Sequence, residues 1–198
     1  GITVIIGLLM MIFVVYPIFL KIFTRVKYSR FARKISPVQL LAFSTSSSAA
    51  TLPLTMETAE EKLGINNETS SFVLPLGATI NMDGTSLYQA VAAVFLAQVY
   101  GMDLGLSEQL TIILTATLAS IGSAAVPGAG MVMLIIVLTS VGIPTEGIAL
   151  IFAVDRPLDM LRTSVNVTGD LTITSIIAGS ENQIDLNIAN SEEILGNH

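Results

Sequence analysis

The sequence predicts an all-α membrane protein, with helices and two re-entrant helical hairpins arranged as inverted repeats and discontinuous helices at the membrane midplane. Three observations carry this. Hydrophobic residues make up 52% of the 198 and charged residues 12%, against about 25% charged in soluble domains, and the mean hydropathy is +0.76. Apolar stretches recur over residues 1–23, 72–100, 110–138 and 145–178, each of the order of the roughly 20 residues that cross a bilayer. Polar, glycine-bearing interruptions lie inside these stretches, foremost Asn81-Met82-Asp83-Gly84-Thr85. In hydrocarbon, freed backbone groups persist only where protein or a water-filled cavity satisfies them, so a broken helix marks an ion or substrate site.

Composition narrows the classes of function. Cysteine is absent, which removes a disulfide framework, a thiolate metal site and a cysteine nucleophile. The formal net charge of -6 offers no basic face for nucleic acid.

Residues 1–23 form the first apolar span, which reads as a membrane helix and not a signal peptide, and the chain reads as a fragment. Lys21, Arg25, Lys27, Arg30, Arg33 and Lys34 follow, six of the nine basic residues. The positive-inside rule assigns them to the cytoplasm, where they also suit anionic lipid. Residues 1–37 therefore make one segment, a helix and a basic loop.

Residues 38–100 make the second segment. Residues 39–54 are short, apolar and rich in small hydroxyl side chains, Ser44-Thr45-Ser46-Ser47-Ser48 followed by Thr51-Leu52-Pro53. Such a piece is too short to span but suits a re-entrant hairpin with a polar tip; close backbone packing is the alternative reason for its small residues. Asn67-Glu68-Thr69 matches a glycosylation sequon, but the orientation places it inside. The broken helix of residues 72–100 follows.

Residues 101–179 make the third segment. An acidic link without lysine or arginine fits an outer loop. Residues 110–138 are interrupted by Ser120-Ile121-Gly122-Ser123, then Val126-Pro127-Gly128-Ala129-Gly130, and this glycine and proline content predicts a second hairpin with an irregular tip. The last span carries Asp159, Arg162, Thr163, Asn166 and Asp170, spaced three or four apart and so on one helix face. A neutralising Asp159–Arg162 pair accounts for two of them. It does not account for Asn166 and Asp170, which at about 2.5–3.5 kcal/mol per charge near mid-membrane point to function. Pro157 should kink the helix start. Residues 180–198 read as a polar cytoplasmic tail, partly disordered.

The two halves match each other. Ser48-Ala49-Ala50 with Pro53 precedes Asn81-x-Asp83-Gly84-Thr85, and Ser123-Ala124-Ala125 with Pro127 precedes Asn166-x-Thr168-Gly169-Asp170. One hairpin starts from each side of the membrane, which makes the repeats inverted, as in many secondary transporters.

Taken with Arg162-Thr163-x-x-Asn166-x-x-Gly169-Asp170, these motifs resemble the glutamate transporter family of dicarboxylate and amino-acid:cation symporters, over residues 1 to about 180. The resemblance implies a transport domain that moves like an elevator against a trimerisation scaffold whose helices lie upstream. It implies a homotrimer in the plasma or inner membrane, multi-pass, that carries an acidic amino acid (glutamate or aspartate) with sodium ions. Carried over, Arg162 pairs with the substrate side-chain carboxylate and Asp159 with its amino group. Thr85, Asn166 and the backbone at Ser48, Val126 and Gly130 hold the α-carboxylate, and Thr163 completes the substrate set. The implied sodium ligands are Gly77, Asn81, Asn166 and Asp170 at one site, Thr79, Ser120, Ile121 and Ser123 at a second, and Asn81 with Asp83 at a third. The resemblance departs at Ser46 and Met160, where a second arginine is usual; Arg156 is the substitute at hand.

Sodium, a hard cation, prefers the carboxylate, carboxamide and carbonyl oxygens that such interrupted helices supply. Competing readings are proton-coupled or C4-dicarboxylate symport within the family, a channel, and an intramembrane protease using Asp83 and Asp159 as an acid/base dyad. Arg162 beside Asp159 opposes the last. No enzyme activity is expected.

Overall fold

The computed structural model describes residues 1–192. The described residues are helical apart from turns and one isolated antiparallel bridge between Ile65 and Ile184. Helix α1 is Ile2–Phe23, the one described helix long and apolar enough to cross a membrane. Then come α2 (Tyr28–Thr45), α3 (Ser48–Glu57, continued by a π-turn over Thr58–Lys62), α4 (Asn67–Ile80), α5 (Asp83–Val99), α6 (Leu106–Ile121), α7 (Ala129–Ser140) and α8 (Ile148–Ser180). A short α9 (Leu186–Ala189) ends the described chain. Helix α2 begins at Tyr28, so Arg30, Arg33 and Lys34 stand on it, and the basic loop is shorter than the sequence suggests.

Helix α8 is the central column. Every residue from 162 to 172 on it is buried, and it runs through both apolar clusters. One cluster gathers Leu8, Tyr88, Leu96, Leu134 and Leu158. The other gathers Leu20, Phe31, Ile35, Leu63, Leu74 and Leu171. A fully buried helix with this many hydroxyls needs internal acceptors, and it has them: Thr163, Thr168, Thr172, Thr174 and Ser175 each donate to the carbonyl four residues back. This bonding leaves the helix intact. Pro157 lacks a backbone donor yet does not end it. Gln39 on α2 donates to Thr168 at 2.9 Å, and Ser164 donates to the Gln39 carbonyl at 3.0 Å.

The predicted interruption lies between α4 and α5, where Asn81 and Met82 leave helical geometry. The free N–H of Gly84 in the first turn of α5 is taken by the Asn166 side-chain oxygen at 2.8 Å, so α8 caps the broken helix. A β-carbon at residue 84 would lie 2.8 Å from the Arg162 carbonyl oxygen. Only glycine permits that approach.

The tail differs from expectation. Residues 181–192 are docked, because Ile184, Leu186 and Ala189 bury against the second cluster. The Asn190 side chain accepts from the Lys27 N–H at 2.7 Å and donates to the Arg25 carbonyl at 3.2 Å. Residues 193–198 of the predicted disordered tail, His198 included, lie outside the described residues. Lys34, 2% exposed, donates to the carbonyls of Lys62 and Ile188 and to the Ser191 hydroxyl. Lys34→Met keeps the apolar stem and strands these acceptors, which should lower unfolding stability by about 2–3 kcal/mol; thermal unfolding, with proteolysis of the tail, measures it.

Candidate functional site

Two helix turns face each other beside α8. Ser46 and Ser47 join α2 to α3, with Ser46 left-handed at φ 51°. Residues 122–128 join α6 to α7. The Ser47 hydroxyl donates to the Ala125 carbonyl at 2.7 Å, and accepts from the Ala50 N–H at 3.1 Å. One hydroxyl thus caps α3 and ties the two tips together.

Between the tips and α8 lies a chamber of about 20 Å³. Ser48, Thr85, Val126, Gly130, Asp159, Thr163 and Asn166 line it, which is seven of the eight residues expected to hold substrate. The eighth, Arg162, reaches its edge: a β-carbon at Gly130 would lie 2.9 Å from Arg162 Nη1.

Arg162 is 1% exposed. Its Nη2 donates to Asp159 at 2.9 Å and to Asp155 at 3.1 Å. The guanidinium lies 3.8 Å above the Tyr88 ring centroid, a cation–π contact. Its Nε and Nη1 have no hydrogen-bond partner among the described residues. A buried guanidinium with idle donors costs free energy, and a carboxylate oxygen is the acceptor that best satisfies such a donor. The second oxygen of Asp159 accepts from the Gly128 N–H at 2.9 Å. Arg156 stands 3.9 Å from the same oxygen with its side chain 59% exposed, so it is a rim charge.

Below the chamber is a second polar group. Asn81 donates to Asp170 at 2.9 Å, and a β-carbon at Gly77 would lie 2.9 Å from the same Asp170 oxygen. Tyr16 donates to Asp83 at 2.9 Å. Asn166 joins the two groups, since its oxygen holds Gly84 and its nitrogen donates to Thr85 at 3.2 Å. Asp83 and Asp170 have no cationic side chain paired with them among the described residues. Gly77, Asn81, Asp83, Asn166 and Asp170 are therefore brought together.

The other expected sodium set is dispersed. Thr79 is exposed and donates to the Leu76 carbonyl at 3.0 Å, while Ser120 donates to the Thr117 carbonyl at 2.8 Å. Ser120 and Ile121 line a second cavity with Met82 and Asp83, and Ser123 lines the chamber. Asp83 and Asp159 engage separate partners, Tyr16 and Arg162, and no hydrogen bond joins them.

Sequence reasoning missed Asp155, Tyr88 and Tyr16 as members of these groups. Asp155 stands two turns before Arg162 on the same α8 face, a periodicity that was there to read. The tyrosines give only the weaker signal of a lone hydroxyl in an apolar helix.

The sequence profile of the sodium:dicarboxylate symporter family matches residues 1–180. The chain belongs to this family. It is 51% identical to mouse (Mus musculus) excitatory amino acid transporter 3 over 175 residues, covering 88% of this chain and 34% of that protein. It is 50% identical to human (Homo sapiens) excitatory amino acid transporter 2 over 169 residues, covering 85% of this chain and 29% of that protein. The rat (Rattus norvegicus) excitatory amino acid transporter 1 aligns at 51% over 169 residues, 85% of this chain and 31% of that protein. The chain thus spans about a third of the length of the curated relatives it matches.

Proposed function

We propose that this chain is the transport core of a secondary transporter that moves an acidic amino acid with sodium ions across the plasma or inner membrane. The observation that carries the reading is Arg162, buried, with Nη1 idle at the edge of a chamber that Asp159, its ion-pair partner at 2.9 Å, also lines. A free acidic amino acid carries two carboxylates and an ammonium. Arg162 Nη1 suits the side-chain carboxylate, Asp159 suits the ammonium, and Thr85, Thr163, Asn166 and the backbone at Ser48, Val126 and Gly130 suit the α-carboxylate. Asp159 also disfavours a dicarboxylate without an amino group.

A chamber of about 20 Å³ is smaller than any amino acid, so loading requires the tips to part. The contacts to break are Ser47 to Ala125 and Gly128 to Asp159, each worth about 1 kcal/mol net, or somewhat more for the carboxylate. That is weak enough for a gate. The incoming ammonium takes the Asp159 oxygen that the Gly128 N–H held.

Sodium enters as co-substrate. Asp170, Asn81, Gly77 and Asn166 form one set, and Asn81 with Asp83 another; Thr79, Ser120, Ile121 and Ser123 assemble a third only if α4 and the second tip shift. Because Asn166 caps α5 and holds Thr85, a cation on the Asp170 side orders the helix start that receives the α-carboxylate. This is coupling through a shared residue. In the same reading the two tips are re-entrant, the repeats inverted, the basic segment cytoplasmic and lipid-facing, and the motion an elevator within a trimer held by scaffold helices outside this chain.

Uptake of labelled aspartate and glutamate into vesicles by the intact transporter, with sodium, proton and potassium gradients varied separately, tests this. Saturable uptake driven by sodium is expected, and uptake indifferent to sodium would end the reading. Cysteines introduced at Ala50 and Ala125, both tied to the Ser47 hydroxyl, should when cross-linked reduce uptake at least tenfold; full transport with the link formed would mean that the tips need not separate.

A further inference from the structure

Tyr16 is 2% exposed on a helix whose other residues, Thr3 and Lys21 apart, are apolar, and nothing in the substrate chamber uses it. Its hydroxyl donates to Asp83 Oδ2 at 2.9 Å, and the Val165 carbonyl of α8 lies 3.2 Å away. A β-carbon at Gly169 would lie 2.7 Å from Asn81 Nδ2 and 2.9 Å from both Asp83 Oδ2 and the Tyr16 oxygen. Polar side chains from α1, from α5 and from the break before α5 therefore meet over one bare stretch of α8.

Helix α1 is built to deliver this hydroxyl. It winds as a π-turn over Met11–Val15, so the Tyr16 N–H bonds to the Met11 carbonyl, five residues back. The Ile12 carbonyl, which a regular helix would give to residue 16, is instead taken by the Tyr28 hydroxyl. A π-turn adds a residue to the local turn and resets which face points inward. Val4, Leu8, Tyr16 and Leu20 consequently share the buried face.

We propose that Tyr16 is a positioning residue for cation binding, holding one oxygen of Asp83 so that the other faces the cation and tying α1 to the occupancy of that site. The proposal rests on the sodium-coupled reading above. A carboxylate with no cationic side chain beside it is free to rotate; fixing it by a phenol pre-organises the ligand set, which raises affinity without a new contact to the ion. The π-turn and the Tyr28 hydroxyl, which bonds the Ile12 carbonyl four residues before Tyr16, are then supports of the ion site.

Sodium titration of the intact transporter in the absence of substrate tests it, with thermal unfolding and gel filtration confirming that each variant is folded. Tyr16→Phe should raise the sodium concentration at half-saturation at least tenfold and change the sodium-to-lithium preference, while aspartate affinity at saturating sodium moves less than threefold. A general packing defect would not single out the cation. Tyr28→Phe, at a half-buried position, tests the same path without opening the core, and a two- to threefold loss of sodium affinity is expected. Sodium affinity within twofold of the parent in Tyr16→Phe, or unchanged in Tyr28→Phe, overturns the proposal. Sodium-independent aspartate binding by the unsubstituted protein would instead remove the reading beneath it.

Discussion

Replacing Asp170 with asparagine in the intact transporter should weaken sodium binding at least tenfold while the protein remains folded. Asp170 is 4% exposed. Its one hydrogen-bond donor among the described residues is the neutral Asn81 amide. A buried carboxylate without a cation costs several kcal/mol, which a bound sodium ion offsets: two unit charges 4 Å apart interact by about 4 kcal/mol at an effective dielectric of 20. The neutral variant loses the attraction and the desolvation cost together. Two measurements should thus move in opposite directions. The unfolding temperature without sodium should rise or hold, and its increase on adding sodium should shrink. If sodium still raises the unfolding temperature of Asp170→Asn as it does in the parent, the ion is held by other oxygens.

Much of this site was legible because the membrane makes polarity expensive. In a chain with 12% charged residues, the cluster from Asp155 to Asp170 and the break at Asn81 stand out without any structure. The break fell where expected, between Ile80 and Asp83, because no regular helix continues through that sequence while α8 supplies a cap. The register of α8 followed from a spacing of three and four residues. Helix ends were less visible: α2 begins at Tyr28, inside what read as a basic loop, and Lys34 on it finds acceptors at Lys62 and in the folded tail that only the folded chain brings together. The docked tail was missed for the same reason, since three apolar side chains in a polar stretch give little periodicity to read. A π-turn leaves no signature in a uniformly apolar run, so the inward aim of Tyr16 could not be deduced. Thr79 and Ser120 show what residue type leaves open: each hydroxyl donates its hydrogen to its own helix backbone, which keeps its oxygen lone pairs available to a cation.

Arg162→Cys should lower aspartate affinity by well over tenfold and let small neutral amino acids such as serine or alanine gain relative to it. The guanidinium is held by Asp159, by Asp155 and by the Tyr88 face, with its idle Nη1 at the chamber edge. Charge-assisted contacts contribute about 1.5–3 kcal/mol each, and a substrate carboxylate stranded without a partner costs more. In the proposed reading Asp159 takes the ammonium common to all amino acids, so the variant should keep binding them, and Asp159→Asn should abolish amino-acid binding altogether. The single Arg162 variant also leaves Asp155 and Asp159 without their buried cation, a loss of about 3–5 kcal/mol by analogy with other broken buried pairs. Adding Asp155→Asn removes one of the uncompensated charges, so the double variant should recover stability without recovering aspartate. This pairing separates folding from recognition. Near-native aspartate affinity in the double variant, with serine still excluded, would mean that the side-chain carboxylate is held elsewhere, and Arg156 at the rim, 3.9 Å from Asp159, would then be the next cation to remove.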